Sequence, residues 1–109
     1  MDYLSLDKRF NNSKLFFSRD ELNKILSCYS NGVSRGKWKD YAINFDKNEA
    51  IFFIYKNSIA SPDCVLTKTK KIKKNKILFK LQMKNYNKNT FNDIDDLLII
   101  LQRKQLKII

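Results

Sequence analysis

The 109-residue chain contains no histidine. That removes the side chain that most often acts as a general base near neutral pH. Cysteine is scarce as well. Cys28 and Cys64 stand far apart, form no CxxC pair and have no histidine to activate either thiol. Neither a zinc-ligand set nor a Cys–His nucleophile can be drawn from such residues. With two glycines and one proline there is no Gly-rich phosphate loop and no low-complexity tract. Asp93, Asp95 and Asp96 cluster, but without the glycine and terminal glutamate of an EF-hand loop. The expectation is a non-enzymatic protein with no cofactor and no metal.

Other absences bear on location. No apolar run approaches the roughly 20 residues that span a bilayer. The first residues, Met1 to Asp7, show neither a basic stretch nor a long apolar one, so no secretory signal is expected. Two widely spaced cysteines read as buried reduced thiols rather than a disulfide, and the expected location is cytoplasmic, with no membrane partner.

The amount of chain suits one modest core. Residues 1–14 are polar with scattered apolar side chains and read as a flexible lead-in, with a single α+β domain over 15–109. Ser18-Arg19-Asp20-Glu21 has the form of a capping box, and Phe17 and Leu22 occupy the positions of a hydrophobic staple. Leu22, Ile25, Leu26 and Tyr29 follow helical spacing. The helix is expected over about 19–30, stopped by Asn31-Gly32. Four strands are expected next, at about 39–46, 50–56, 64–70 and 77–84. Tyr41, Ile43 and Phe45 are expected on the core face of the first strand, with Ile51, Phe53 and Tyr55 on the same face of the second. Ala50, Phe52 and Ile54 then form an apolar second face.

A last helix is expected to begin near 90–92. Its first turn carries Asp93, Asp95 and Asp96, as the helix dipole favours, and Ile94, Leu97, Leu98 and Leu101 point inward. The order of elements predicts a four-stranded antiparallel sheet with both helices packed on one face.

A second segment with a specific pattern is Gly36-Lys37-Trp38-Lys39-Asp40-Tyr41-Ala42-Ile43, which holds the only tryptophan. Taken with Glu21, Leu22, Leu26 and Tyr29 upstream, it resembles a small bacterial family known only as a domain of unknown function, number 2794. The resemblance is strongest over residues 17–56 and runs more loosely to about 102. Lys37 and Lys39 depart from the acidic residue and the arginine that the family places around the tryptophan. The resemblance implies the extent of the domain and carries no activity. Physically, Trp38 is expected to plug the end of the core where Gly36 lets the backbone turn, with Asp40 bonding nearby amides or pairing with Arg35. The alternative is an exposed aromatic platform.

What the chain has in excess is lysine. There are 22 basic and 11 acidic residues, a formal charge of +11. The stretch from Cys64 to Asn92 holds nine lysines and no acid, leaving 13 basic against 11 acidic residues elsewhere. Lys68, Lys70, Lys71, Lys73, Lys74, Lys76, Lys80 and Lys84 are the candidate anion-binding residues. Lys68, Lys70, Lys80 and Lys84 are expected to form one stripe with Phe52, on the face opposite the core. Phosphate tracking on nucleic acid is the leading function. Lysine in place of arginine predicts contacts blind to sequence. An acidic protein is the other partner such a surface suits. The structural explanation is a solvated lysine edge that blunts sheet-to-sheet pairing, with codon usage favouring Lys, Asn and Ile. The rival functional class is an interaction or homodimerisation module that buries Ala50, Phe52 and Ile54 on the second sheet face, with Ile99 and Ile100 beyond the stripe of the last helix.

Overall fold

A computed structural model of the chain describes residues 14–57, 61–84 and 86–106. Of the expected lead-in, residues 1–13 lie outside the described residues. The fold is α+β. Helix α1 spans Arg19–Ser34. Strands β1 (Asp40–Phe45), β2 (Glu49–Tyr55), β3 (Cys64–Lys71), β4 (Lys76–Met83) and β5 (Asn89–Phe91) follow, and helix α2 (Ile94–Leu106) comes last. The strands form one antiparallel sheet in sequence order, β1-β2-β3-β4-β5. Both helices pack on one face, where Ile25, Cys28, Leu97 and Leu101 join Phe52, Ile54, Leu66 and Leu81 in the core.

The capping box forms in full. The Glu21 amide donates to Ser18 Oγ at 3.1 Å, and the Ser18 amide donates to Glu21 Oε1 at 2.8 Å. The helix stop differs from expectation. Gly32 is buried inside the helix, and the chain leaves it four residues later. The Lys37 amide donates to the Gly32 carbonyl and the Gly36 amide to that of Val33, while Gly36 takes a φ of +73°. This is the Schellman arrangement, which needs its left-handed residue at Gly36. Asn31-Gly32 has the right chemistry for a stop, but both lie within the helix.

A fifth strand, Asn89–Phe91, occupies residues expected as loop and helix start. It is short and pairs only with β4. Its presence moves the start of α2 to Ile94, with the Asp95 amide donating to Asp93 Oδ1 at 3.2 Å.

The side-chain faces require a larger correction. Phe45 pairs with Ala50 and Lys71 with Lys76, so both hairpins close over four residues. Directly opposed residues point to the same face. An even loop therefore joins an odd-numbered residue to an even-numbered one. Tyr41, Ile43 and Phe45 share their face with Ile54, Phe52 and Ala50, not with Tyr55, Phe53 and Ile51. Ala50, Phe52 and Ile54 are fully buried under the helices, and form the core instead of a free dimerisation face. The open face carries Ile51, Phe53 and Tyr55, each half-buried.

The same arithmetic splits the expected lysine stripe. Lys68 opposes Phe79 on the helix-covered face, Lys70 follows it on that side, and Lys80 opposes Thr67 on the open face. Phe52 is not beside Lys80.

Candidate anion-binding site

The β3–β4 hairpin concentrates charge because of how its turn is built. Ile72–Lys74 forms one turn of 3-10 helix, closed by the Asn75 amide on the Ile72 carbonyl at 3.2 Å. Asn75 sits at φ 48°, ψ 48°, left-handed backbone that asparagine adopts more readily than most side chains. Lys71, Lys73, Lys74 and Lys76 are all exposed around it, as is Ile72 at 64%. The β1–β2 turn lies against the base of this hairpin, where the Lys70 amide donates to the Asn48 carbonyl at 3.0 Å.

Between the two turns lies an open cleft of ≈ 520 Å³, lined by Asn48, Thr69, Leu78 and the five lysines Lys70, Lys71, Lys73, Lys74 and Lys76. Thr69 is 7% exposed, and among the described residues its buried Oγ1 has no hydrogen-bond partner. A buried hydroxyl normally finds a partner, because leaving it unpaired costs about 1–3 kcal/mol. Asp46 and Glu49 lie on the other side of Thr69, with Lys47, and set the limit of the basic surface there.

The structure separates the candidate lysines into three groups. Lys70, Lys71, Lys73, Lys74 and Lys76 line the cleft. Lys80 and Lys84 lie further along β4 and just past its end, away from the cleft lining. Lys68 leaves the set. It is 8% exposed, and its ammonium donates to Glu21 Oε1 at 2.8 Å and to the Phe16 carbonyl at 2.9 Å. Asn48 and Thr69 were not legible as site residues, because nothing in the sequence says that the two turns meet.

The signature residues lie elsewhere, where α1 hands over to β1. Trp38 is 3% exposed, so it is a core plug and not an open platform. Its Nε1 donates to Asp63 Oδ2 at 3.1 Å, and Tyr29 stacks on it with centroids 6.2 Å apart and planes at 4°. Tyr41 stacks on Phe52 at 5.0 Å and meets Tyr29 edge-on at the same distance. Such pairs add about 0.5–1.5 kcal/mol beyond burial. Asp40 Oδ1 accepts the Tyr41 amide at 2.8 Å, one of the two roles expected of it. Leu22 and Leu26 are half-buried against the core. Asp63, invisible as a partner in the sequence, also lies 3.9 Å from Cys64 Sγ. Burial pushes the Cys64 and Cys28 thiols up from their ordinary range, and both are free.

The family model described as "Protein of unknown function (DUF2794)" matches residues 15–88, and the chain belongs to that family. The match takes in α1, the first four strands and the lysine-rich hairpin, and ends before β5 and α2. No curated protein and no solved structure matches the chain. Among the described residues no helix is long and apolar enough to cross a membrane.

Proposed function

We propose that this member of the family is a non-enzymatic binding module of the cytoplasm, and that its β3–β4 hairpin takes up phosphate-bearing polyanions. The observation that carries the reading is the cleft lined by Lys70, Lys71, Lys73, Lys74 and Lys76, with a buried Thr69 hydroxyl in its wall that has no hydrogen-bond partner among the described residues. Phosphate oxygens suit that set. Ammonium groups supply charge without fixed geometry, and the threonine and Asn48 side chains add hydrogen bonds. Lysines on an open turn track a backbone and do not read base edges, so the expected contacts are indifferent to sequence.

The test is fluorescence anisotropy of labelled single- and double-stranded oligonucleotides over a range of salt. The control replaces Lys71, Lys73, Lys74 and Lys76 with glutamine. Binding that weakens steeply with salt, and whose salt slope flattens in the variant, is the expected result. Binding with the same slope in both proteins would remove the hairpin from the site. An acidic protein is the other partner that five converging lysines suit, and it would show no response to oligonucleotides.

A further inference from the structure

We infer that the open face of the sheet is a stacking platform for the unpaired bases of a single-stranded nucleic acid. The inference rests on the proposed function, since the hairpin lysines supply the phosphate contacts that bring the strand there.

The sheet has two unlike faces. One is closed by α1 and α2. On the other, Phe53 and Tyr55 stand on β2 with Ile51, none of them among the side chains packed against the core. The pairing fixes what lies beside them. Phe53 is followed across the sheet by Val65 and then Gln82, and Ile51 by Thr67, Lys80 and Thr90. An aromatic pair on β2 thus lies two strands from β4, whose outward positions read Lys76, Leu78, Lys80 and Gln82. Adjacent strands lie about 4.8 Å apart, so the β2 and β4 backbones are separated by roughly 10 Å, with Lys80 one outward position along from the row of Phe53. That gap suits a base on the ring with its phosphate towards β4.

The chemistry favours this occupant over two others. A duplex keeps its bases stacked on each other and offers no free π-face to a sheet. A second copy would bring its own formal charge of +11 against a chain of the same sign, and like charges across an interface are costly. A polyanion meets the chain with opposite charge. Stacking is indifferent to sequence because every base has a π-face, which agrees with lysine contacts that read no base edges.

The experiment titrates the full chain, by anisotropy, with labelled oligothymidylate and with an abasic oligomer of the same length. Unlabelled inorganic polyphosphate serves as competitor. Phe53→Leu and Tyr55→Leu, singly and together, remove the rings and keep an apolar side chain; the far-ultraviolet circular dichroism reports folding. The expected result is tighter binding to oligothymidylate than to the abasic oligomer. In the double variant that preference falls by at least roughly fivefold, with abasic binding and polyphosphate competition unchanged.

Equal affinity of the wild type for the two oligomers would overturn the platform and leave the lysine site standing. That comparison needs no variant, so it holds even if the leucine proteins misfold. A preference that survives in folded leucine variants would move base contact off this face. No response to any of the three anions would overturn both readings. A doubled mass in solution, returned to that of a monomer by Phe53→Lys, would assign the face to a second copy.

Discussion

Lys68 and Glu21 form an ion pair of 2.8 Å between the third strand and the first turn of the first helix, with side chains only 11% and 18% exposed. Glu21 serves two partners from one oxygen, since Oε1 also accepts the Ser18 amide that closes the capping box. A single carboxylate therefore sets where the helix begins and fixes that end to the sheet. Lys68 further holds the Phe16 carbonyl, in the segment whose ring packs 4.7 Å from Phe45.

Breaking such a pair on one side is expected to cost more than removing both sides. Lys68→Met and Glu21→Gln should each lose about 3 kcal/mol, because each leaves a largely buried charge without its counter-ion. The double variant should recover part of that loss. Chemical denaturation of the four proteins as a double-mutant cycle gives the coupling directly.

Gly36 offers a cleaner test of backbone strain. A Cβ placed there would meet nothing within 4 Å, so crowding plays no part. Gly36→Ala is expected to cost about 1–2 kcal/mol purely for the left-handed φ. Gly36→Asn should cost less. Equal stability of all three would mean that the helix ends by some other route.

Trp38 is the only tryptophan and a natural reporter. Its emission should be that of a buried indole and should shift red on unfolding. Trp38→Ala should lose about 3–5 kcal/mol. Trp38→Phe should lose less, since it keeps a ring against Tyr29 and sacrifices the bond to Asp63.

The thiols predict a pH dependence. Burial raises both Cys28 and Cys64, and Tyr29 is raised by burial first, then by Asp40 and Tyr41. A free thiol ionises near pH 8.5. Above that pH the unfolded chain has lost protons that the folded chain still holds, so stability falls as pH rises. The slope approaches about 1.4 kcal/mol per pH unit for a thiol that stays protonated in the folded chain. Below about pH 7 these groups contribute almost no slope. Denaturation curves from pH 7 to 10 check this, and Cys64→Ala should flatten the decline. Alkylation of either thiol by iodoacetamide at pH 7.5 should follow unfolding and not precede it.

Much of the fold was legible because its signals are local. A capping box, period-two strands and an acidic first turn each act within a few residues, and each appears at or near its expected place. Whatever depended on pairing was not legible. The parity of a hairpin loop decides which face every later side chain takes, and the four residues 46–49 put Phe52, not Phe53, on the face of Tyr41, Ile43 and Phe45. That placement turned the expected dimer surface into core and moved Lys68 from the surface into the Glu21 pair. At the site, the run of lysines was plain in the sequence. Their convergence on Asn48 and Thr69 was not, since it follows from the Lys70 amide meeting the Asn48 carbonyl across 22 residues of chain.

The most direct test of the central claim is a nitrogen-15 chemical-shift titration of the protein with inorganic polyphosphate. Saturable shifts are expected that peak at the amides of Thr69 to Lys76 and at Asn48, and that collapse when salt is raised. Shifts that peak elsewhere, or none at low salt, would contradict that claim and return these lysines to a solvated sheet edge.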